Sequence, residues 1–120
     1  MKLEELQVYT LSMGKAEKIW TIVIEWDYFT KDTVGKQLVR AADSIAANLS
    51  EGFGRYHFKE NTNFSYYSRG SLFETKTWLI KSHNRKLISK EDFEMFIHEI
   101  DNIGVKLNNY INSIGKKAIE

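Results

Sequence analysis

Apolar side chains recur at intervals of three and four along nearly the whole chain, and no proline interrupts them. That spacing puts successive apolar residues on one face of an α-helix. Without proline, no helix is forced to break. Sustained period-two alternation, the mark of a half-buried strand, does not occur. The expected class is therefore all-α, with helices at about 4–28, 33–55, 59–85 and 89–115. Four helices with short links, in 120 residues, read as one domain: an up-down-up-down four-helix bundle.

The periodicity predicts a core stripe on each helix. On the first it is Leu6, Tyr9, Met13, Ala16, Trp20, Val23 and Ile24. A break is expected at 29–35, with Asp32 or Thr33 capping the second helix. The second stripe is Val34, Leu38, Ala41, Ala42, Ile45, Leu49 and Phe53. The third is Phe64, Tyr67, Ser68, Ser71, Leu72, Thr75, Trp78 and Leu79. The fourth follows a capping-box-like Ser89–Asp92 and contains Phe93, Phe96, Ile97, Ile100, Ile103, Leu107, Tyr110, Ile111 and Ile114.

Two helices carry a second apolar seam. Ile19, Ile22 and Trp26 lie well around the first helix from its stripe, and Tyr66, Phe73 and Ile80 recur every seven residues on the third. Exposed seams of this size mark a contact surface. These six residues are the candidate subunit interface of a symmetric homo-oligomer. The alternative is that both helices are buried more than halfway round within one chain.

The segment Gln37–Arg55 has three faces. One is the core stripe. A second is a polar ladder of Gln37, Arg40, Ser44, Asn48, Glu51 and Arg55. The third holds the short side chains Asp43, Ala47, Ser50 and Gly54. A glycine inside a helix costs about 1 kcal/mol relative to alanine. Gly52 and Gly54 should therefore be offset by tight helix contact or by a helix end. Two glycines without a preceding strand, or the lysine that ends a phosphate-binding loop, do not make a nucleotide site.

The net charge of +1 hides an asymmetry: residues 1–30 carry −2, residues 31–90 carry +6 and residues 91–120 carry −3. The central segment is the candidate surface for an anionic partner. Arg55, Lys59, Lys76, Lys81, Arg85 and Lys86 are its candidate nucleic-acid contacts, made to phosphate. Tyr56, His57 and Phe58 either stack on bases or cap the bundle. No catalytic motif stands out among the serines. His57, His83 and His98 do not have metal-ligand spacing, and neither a metal nor a cofactor is expected. The longest apolar run, near Ile19–Ile24, is too short to span a bilayer. With no cysteine and an acidic N-terminal stretch, a cytoplasmic protein is expected.

The segment QLVRAADSIAANLSEGFGR resembles the second-helix signature of the bacterial intervening-sequence proteins encoded in large-subunit ribosomal RNA genes. Gln37, Leu38, Arg40, Ala41, Ala42, Ser44, Ile45, Asn48, Glu51, Gly52, Gly54 and Arg55 match that signature. Arg69, Gly70, Ser71, Leu72 and Glu74 resemble the third-helix signature, and LEELQVY the opening. Val39 departs from a usual arginine and Ala46 from a frequent proline. The resemblance implies a ring-shaped homopentamer of four-helix protomers. It extends to the accessory variability protein of diversity-generating retroelements, which binds nucleic acid and a reverse transcriptase. RNA or DNA, and a reverse transcriptase or other protein, are thus expected partners. The function expected is non-enzymatic nucleic-acid binding; the rival is a scaffold that recruits a protein without touching nucleic acid. A third reading, an inter-subunit catalytic site using Arg40 and Glu51, has no motif behind it.

Overall fold

The structure is a computed structural model and describes residues 1–119. Four long helices carry it: α1 (Gln7–Val23), α2 (Lys36–Phe53), α3 (Phe58–Asn84) and α4 (Lys90–Ile119). Among the described residues there is no strand. Around the bundle, α1 packs on α2 and α4, and α3 packs on α2 and α4, so α1 and α3 are diagonal. The body is elongated, 50 × 23 × 20 Å.

Three of the expected stripes form the core. Leu38, Ala42, Ile45 and Leu49 of α2 meet Leu72 and Leu79 of α3 and Phe96, Ile100, Ile103 and Leu107 of α4. The α2–α3 contact is close because its side chains are small. Ser68 Oγ donates to the Ile45 carbonyl at 2.7 Å, tying the two helices directly. A Cβ on Gly52 would lie 2.9 Å from Phe64 Cβ and 3.0 Å from the Asn61 carbonyl oxygen. Gly52 is thus the tight-contact glycine, and Gly54 is the C-cap of α2. Tyr67, expected inside, is exposed, while Ser65 and Ser82 are buried in its stead. Small hydroxyl residues are admitted there because each donates within its own helix, as Ser82 does to the Trp78 carbonyl.

The first helix is rotated relative to expectation. Its buried face is Val8, Ser12, Lys15, Ala16, Ile19 and Val23, whereas Met13, Trp20 and Ile24 are exposed. Ile19, assigned to the subunit interface, is 1% exposed and belongs to the core; Ile22 and Trp26 also pack against it. Both arcs of α1 are apolar, so periodicity does not choose between them. Space does: the alanines of α2 leave room for β-branched and small residues, and the bulky Trp20 and Met13 turn outward.

The first link also differs. The chain leaves α1 at Val23, and Asp27 caps the next helical turn by accepting from the Thr30 N–H at 2.8 Å. That turn (Tyr28–Thr30) passes through a π-helical stretch, Lys31–Gly35, into α2. The expected break at 29–35 is therefore helical, and the cap is Asp27, not Asp32 or Thr33. Gly35 is required there, since a Cβ would meet Val23 Cγ1 at 2.7 Å. At α4 the expected cap holds: Ser89 Oγ accepts from the Asp92 N–H at 3.1 Å.

Candidate nucleic-acid interface

The six candidate cations do not form one surface. Arg55 and Lys59 sit at the α2–α3 link, and Lys81, Arg85 and Lys86 at the α3–α4 link. At 1.5 Å per residue, α3 separates the two groups by about 35–40 Å. That is several Debye lengths at physiological salt, so each end acts on its own. Lys76 lies between them and is bonded to Asp101 of α4 at 2.8 Å, which commits it to a cross-helix bridge.

At the first end, Arg55 is not free. Its guanidinium pairs with Glu51 at 2.6 Å and lies 4.9 Å from the Phe64 ring centroid. The first contact holds it along α2 and the second lays it against α3. Tyr56 is fully outside and meets His57 edge-on at 5.0 Å. A cavity of about 280 Å³ separates Phe53, Arg55 and Phe58 from Tyr110 and Lys117 of α4. Asn61 Nδ2 donates to the Tyr110 hydroxyl at 3.2 Å. Burial raises the Tyr110 pKa above its ordinary value, and the Asn61 bond opposes that rise.

At the second end the cations are unpaired among the described residues. Lys81 Nζ lies 4.8 Å from the Trp78 ring centroid, and neither Arg85 nor Lys86 has a carboxylate partner. Lys86 closes α3. Its N–H donates to the His83 carbonyl and the Leu87 N–H to the Ser82 carbonyl, the paired bonds of a Schellman turn. The residue in that position needs the left-handed region, and Lys86 has φ 61°, the only positive φ among the described residues. Glycine is the usual occupant because a Cβ is strained there. Across a cavity of about 410 Å³, Arg85 and Leu87 face Phe29, Thr30 and Thr33 of the first link. Tyr28 and Phe29 are 78% and 75% exposed. These two aromatics were not among the sequence candidates; the place of Phe29 beside Arg85 depends on how the first link folds back. Spacing alone gives no sign of it.

The polar ladder runs along the α2 surface. Ser44 Oγ donates to the Arg40 carbonyl and Asn48 Nδ2 to the Ser44 carbonyl, both within the helix. Gln37 and Asn48 are half-buried, while Arg40 and Glu51 are exposed. The Arg40 side chain has no partner among the described residues, and only Arg55, over the Phe64 ring, carries the ladder to a second helix.

Two apolar seams remain outside. Met13 shares a groove with Ala46, Ala47 and Ser50, which places the Met13–Trp20–Ile24 seam on the α1/α2 side. Glu17 and Asp43 also line that groove, and burial followed by the Glu17 carboxylate raises the Asp43 pKa. Tyr66, Phe73 and Ile80 remain exposed as expected, flanking the Lys76–Asp101 bridge on the α3/α4 side. The two sides are opposite faces of the bundle.

Comparison with known proteins agrees with this architecture. Residues 4–109 match the family described as 23S rRNA-intervening sequence protein. A crystal structure at 1.70 Å of a protein with unknown function from the S23 ribosomal protein family of Bacteroides thetaiotaomicron superposes with a TM-score of 0.78. It is 22% identical, over 88% of this chain and 95% of that one, and it therefore supports the fold alone. No curated protein matches the chain. Among the described residues, no helix is long and apolar enough to cross a membrane.

Proposed function

The chain belongs to the 23S rRNA-intervening sequence protein family, and from that premise we propose that it is a ring-forming helical bundle that binds nucleic acid. Its role is binding, not catalysis. The contacts are to phosphate, from Lys81, Arg85 and Lys86, with Phe29 and Tyr28 available for base stacking. One observation carries the choice of end: these three cations are unpaired, and one of them occupies a strained left-handed position. Arg55, by contrast, is paired with Glu51, which leaves Lys59 as the single candidate at that end without a carboxylate among the described residues.

Self-association is supported by the two exposed seams. They differ in composition and lie on opposite faces, so a contact between them is heterologous. Heterologous contacts propagate head to tail and close into a ring when the rotation between neighbours closes. An acidic groove beside one seam, and beside the other the exposed Arg69, which has no carboxylate partner among the described residues, favour the same pairing. The resemblance sets the ring number at five, a particle of about 70 kDa from a 14.0 kDa chain.

The test is a titration of labelled single-stranded and duplex RNA and DNA at several salt concentrations. Binding should weaken with salt, log K falling by about 0.7–0.9 per phosphate contact for each tenfold rise in salt concentration. The double variant Arg85→Ala/Lys86→Ala should flatten that slope, while Arg55→Ala/Lys59→Ala leaves it nearly unchanged. Absence of binding at low salt, or affinity indifferent to salt, refutes the reading. The exposed Trp20 and Phe73 seams would then favour the second reading, a scaffold that recruits a protein, a reverse transcriptase being the class that the resemblance suggests.

A further inference from the structure

Lys15 is the charged member of the buried face of α1, only 5% exposed. Its ammonium contacts the Glu99 carboxylate of α4 and lies 5.1 Å from the Phe96 ring centroid. The Lys18 ammonium stands 3.7 Å from the other Glu99 oxygen. Outside this ion pair, Lys15 Nζ has no hydrogen-bond partner among the described residues. An ammonium carries three N–H donors, and buried donors left unmade are costly. Two ammonium groups against one carboxylate also leave one positive charge in excess.

Beside this pair a cavity of about 260 Å³ opens between α1 and α4. Leu11 and Ile103 form its apolar wall, and Lys15, Lys18, Asn102 and the Glu99 carboxylate its polar one, so the wall carries two positive charges and one negative. A Cβ on Gly14 would meet nothing within 4 Å, so the mouth is unobstructed. The volume lies just below the usual range for drug-sized ligands, which limits the occupant to a small molecule. We infer that the α1–α4 cavity binds a small carboxylate with a short apolar tail. Its oxygens accept from Lys15 and Lys18, supplying the missing acceptors and balancing the excess charge. Its tail covers Leu11 and Ile103. Burial, then the Lys18 ammonium, pulls the Lys15 pKa down to about 8, a penalty that a bound anion would relieve. The site is on the α4/α1 side, apart from both apolar seams and from the nucleic-acid end, and it is independent of the proposed function.

The test is calorimetric titration of the full chain with hexanoate at constant ionic strength, against acetate, inorganic phosphate and hexylammonium. Hexanoate should bind saturably and at least about tenfold more tightly than acetate or phosphate, with hexylammonium not binding, as expected when both charge and tail contribute. Lys15→Met should weaken hexanoate about tenfold or more and Lys18→Gln by a smaller factor. Gly14→Leu should fill the mouth and abolish binding, with a melting temperature no lower than that of the wild type. If Lys15→Met does not fold, the other two variants decide. Equal binding of hexylammonium, tighter binding of phosphate, unchanged binding in Gly14→Leu, or no saturable binding would each overturn the assignment; the last would leave water as the occupant.

Discussion

Replacing Gly52 by alanine sets two opposed effects against each other. Alanine favours a helix over glycine by about 1 kcal/mol, and the unfolded chain loses freedom as well. Against this, the added Cβ would lie 2.7 Å from Asn61 Oδ1, 2.9 Å from Phe64 Cβ and 3.0 Å from the Asn61 carbonyl oxygen. The Asn61 side chain can rotate away, though it would give up its bond to Tyr110. The other two atoms move only if α3 itself shifts away from α2. Overpacking of this kind costs about 1–3 kcal/mol. With the lost Asn61–Tyr110 bond added, at about 1 kcal/mol, the net destabilisation is about 1–3 kcal/mol. For a urea m-value of about 2 kcal/mol/M, the unfolding midpoint should fall by roughly 0.5–1.5 M. Gly14 is the control. It lies in the middle of α1 with nothing within 4 Å of a Cβ, so Gly14→Ala should stabilise by about 0.5–1 kcal/mol. Urea unfolding followed by circular dichroism measures both. If Gly52→Ala raises the midpoint as Gly14→Ala does, the close α2–α3 approach is not what Gly52 serves.

Lys86→Gly should stabilise the fold by about 0.5–1 kcal/mol by relieving the left-handed φ, yet weaken nucleic-acid binding. A variant that is both less stable and unchanged in binding would contradict the role given to Lys86. Lys15 has a folded pKa below its unfolded one, so the unfolded chain holds more protons between about pH 8 and 10.5. The penalty is therefore complete below pH 8 and fades as pH rises to 10.5. Over that range the stability of the wild type relative to Lys15→Met should rise by at most about 3 kcal/mol, reduced by the attraction of Glu99, as thermal melts at matched pH will read. Met13→Glu and Phe73→Glu should each change protomer stability by less than about 0.5 kcal/mol and, if the proposed ring forms, each reduce it to small species in light scattering. Mixed together, the two variants retain one intact seam each and should pair as heterodimers. A self-complementary interface would give no such rescue.

Much of the fold could be read along the chain. The α2 and α4 stripes were legible because each helix has one apolar arc, so period and burial coincide. Ser89 was legible as a cap because the acid three residues on completes a local pattern. The two glycines at the end of α2 were legible as a cost to be offset, one by contact and one by termination. The first helix was not legible to the same degree. With apolar residues on both arcs, its period is correct under either rotation, and only the shape of the neighbouring helix chooses Ile19 over Trp20.

The candidate site shows the same division. Composition along the chain located an excess of positive charge between residues 31 and 90, since charge is a property of the sequence itself. Whether those charges are free is a property of neighbours. Glu51 lies one turn from Arg55, a spacing visible in the sequence, but Asp101 reaches Lys76 from 25 residues away. Still longer separations, 84 and 56 residues, hide Lys15 beside Glu99 and Phe29 beside Arg85. Local spacing determines helices, caps and charge, because those interactions act within a turn or two. Tertiary packing decides which arc is buried, which cations are spent on carboxylates and where a cavity is left, because those depend on residues that meet only when the bundle closes.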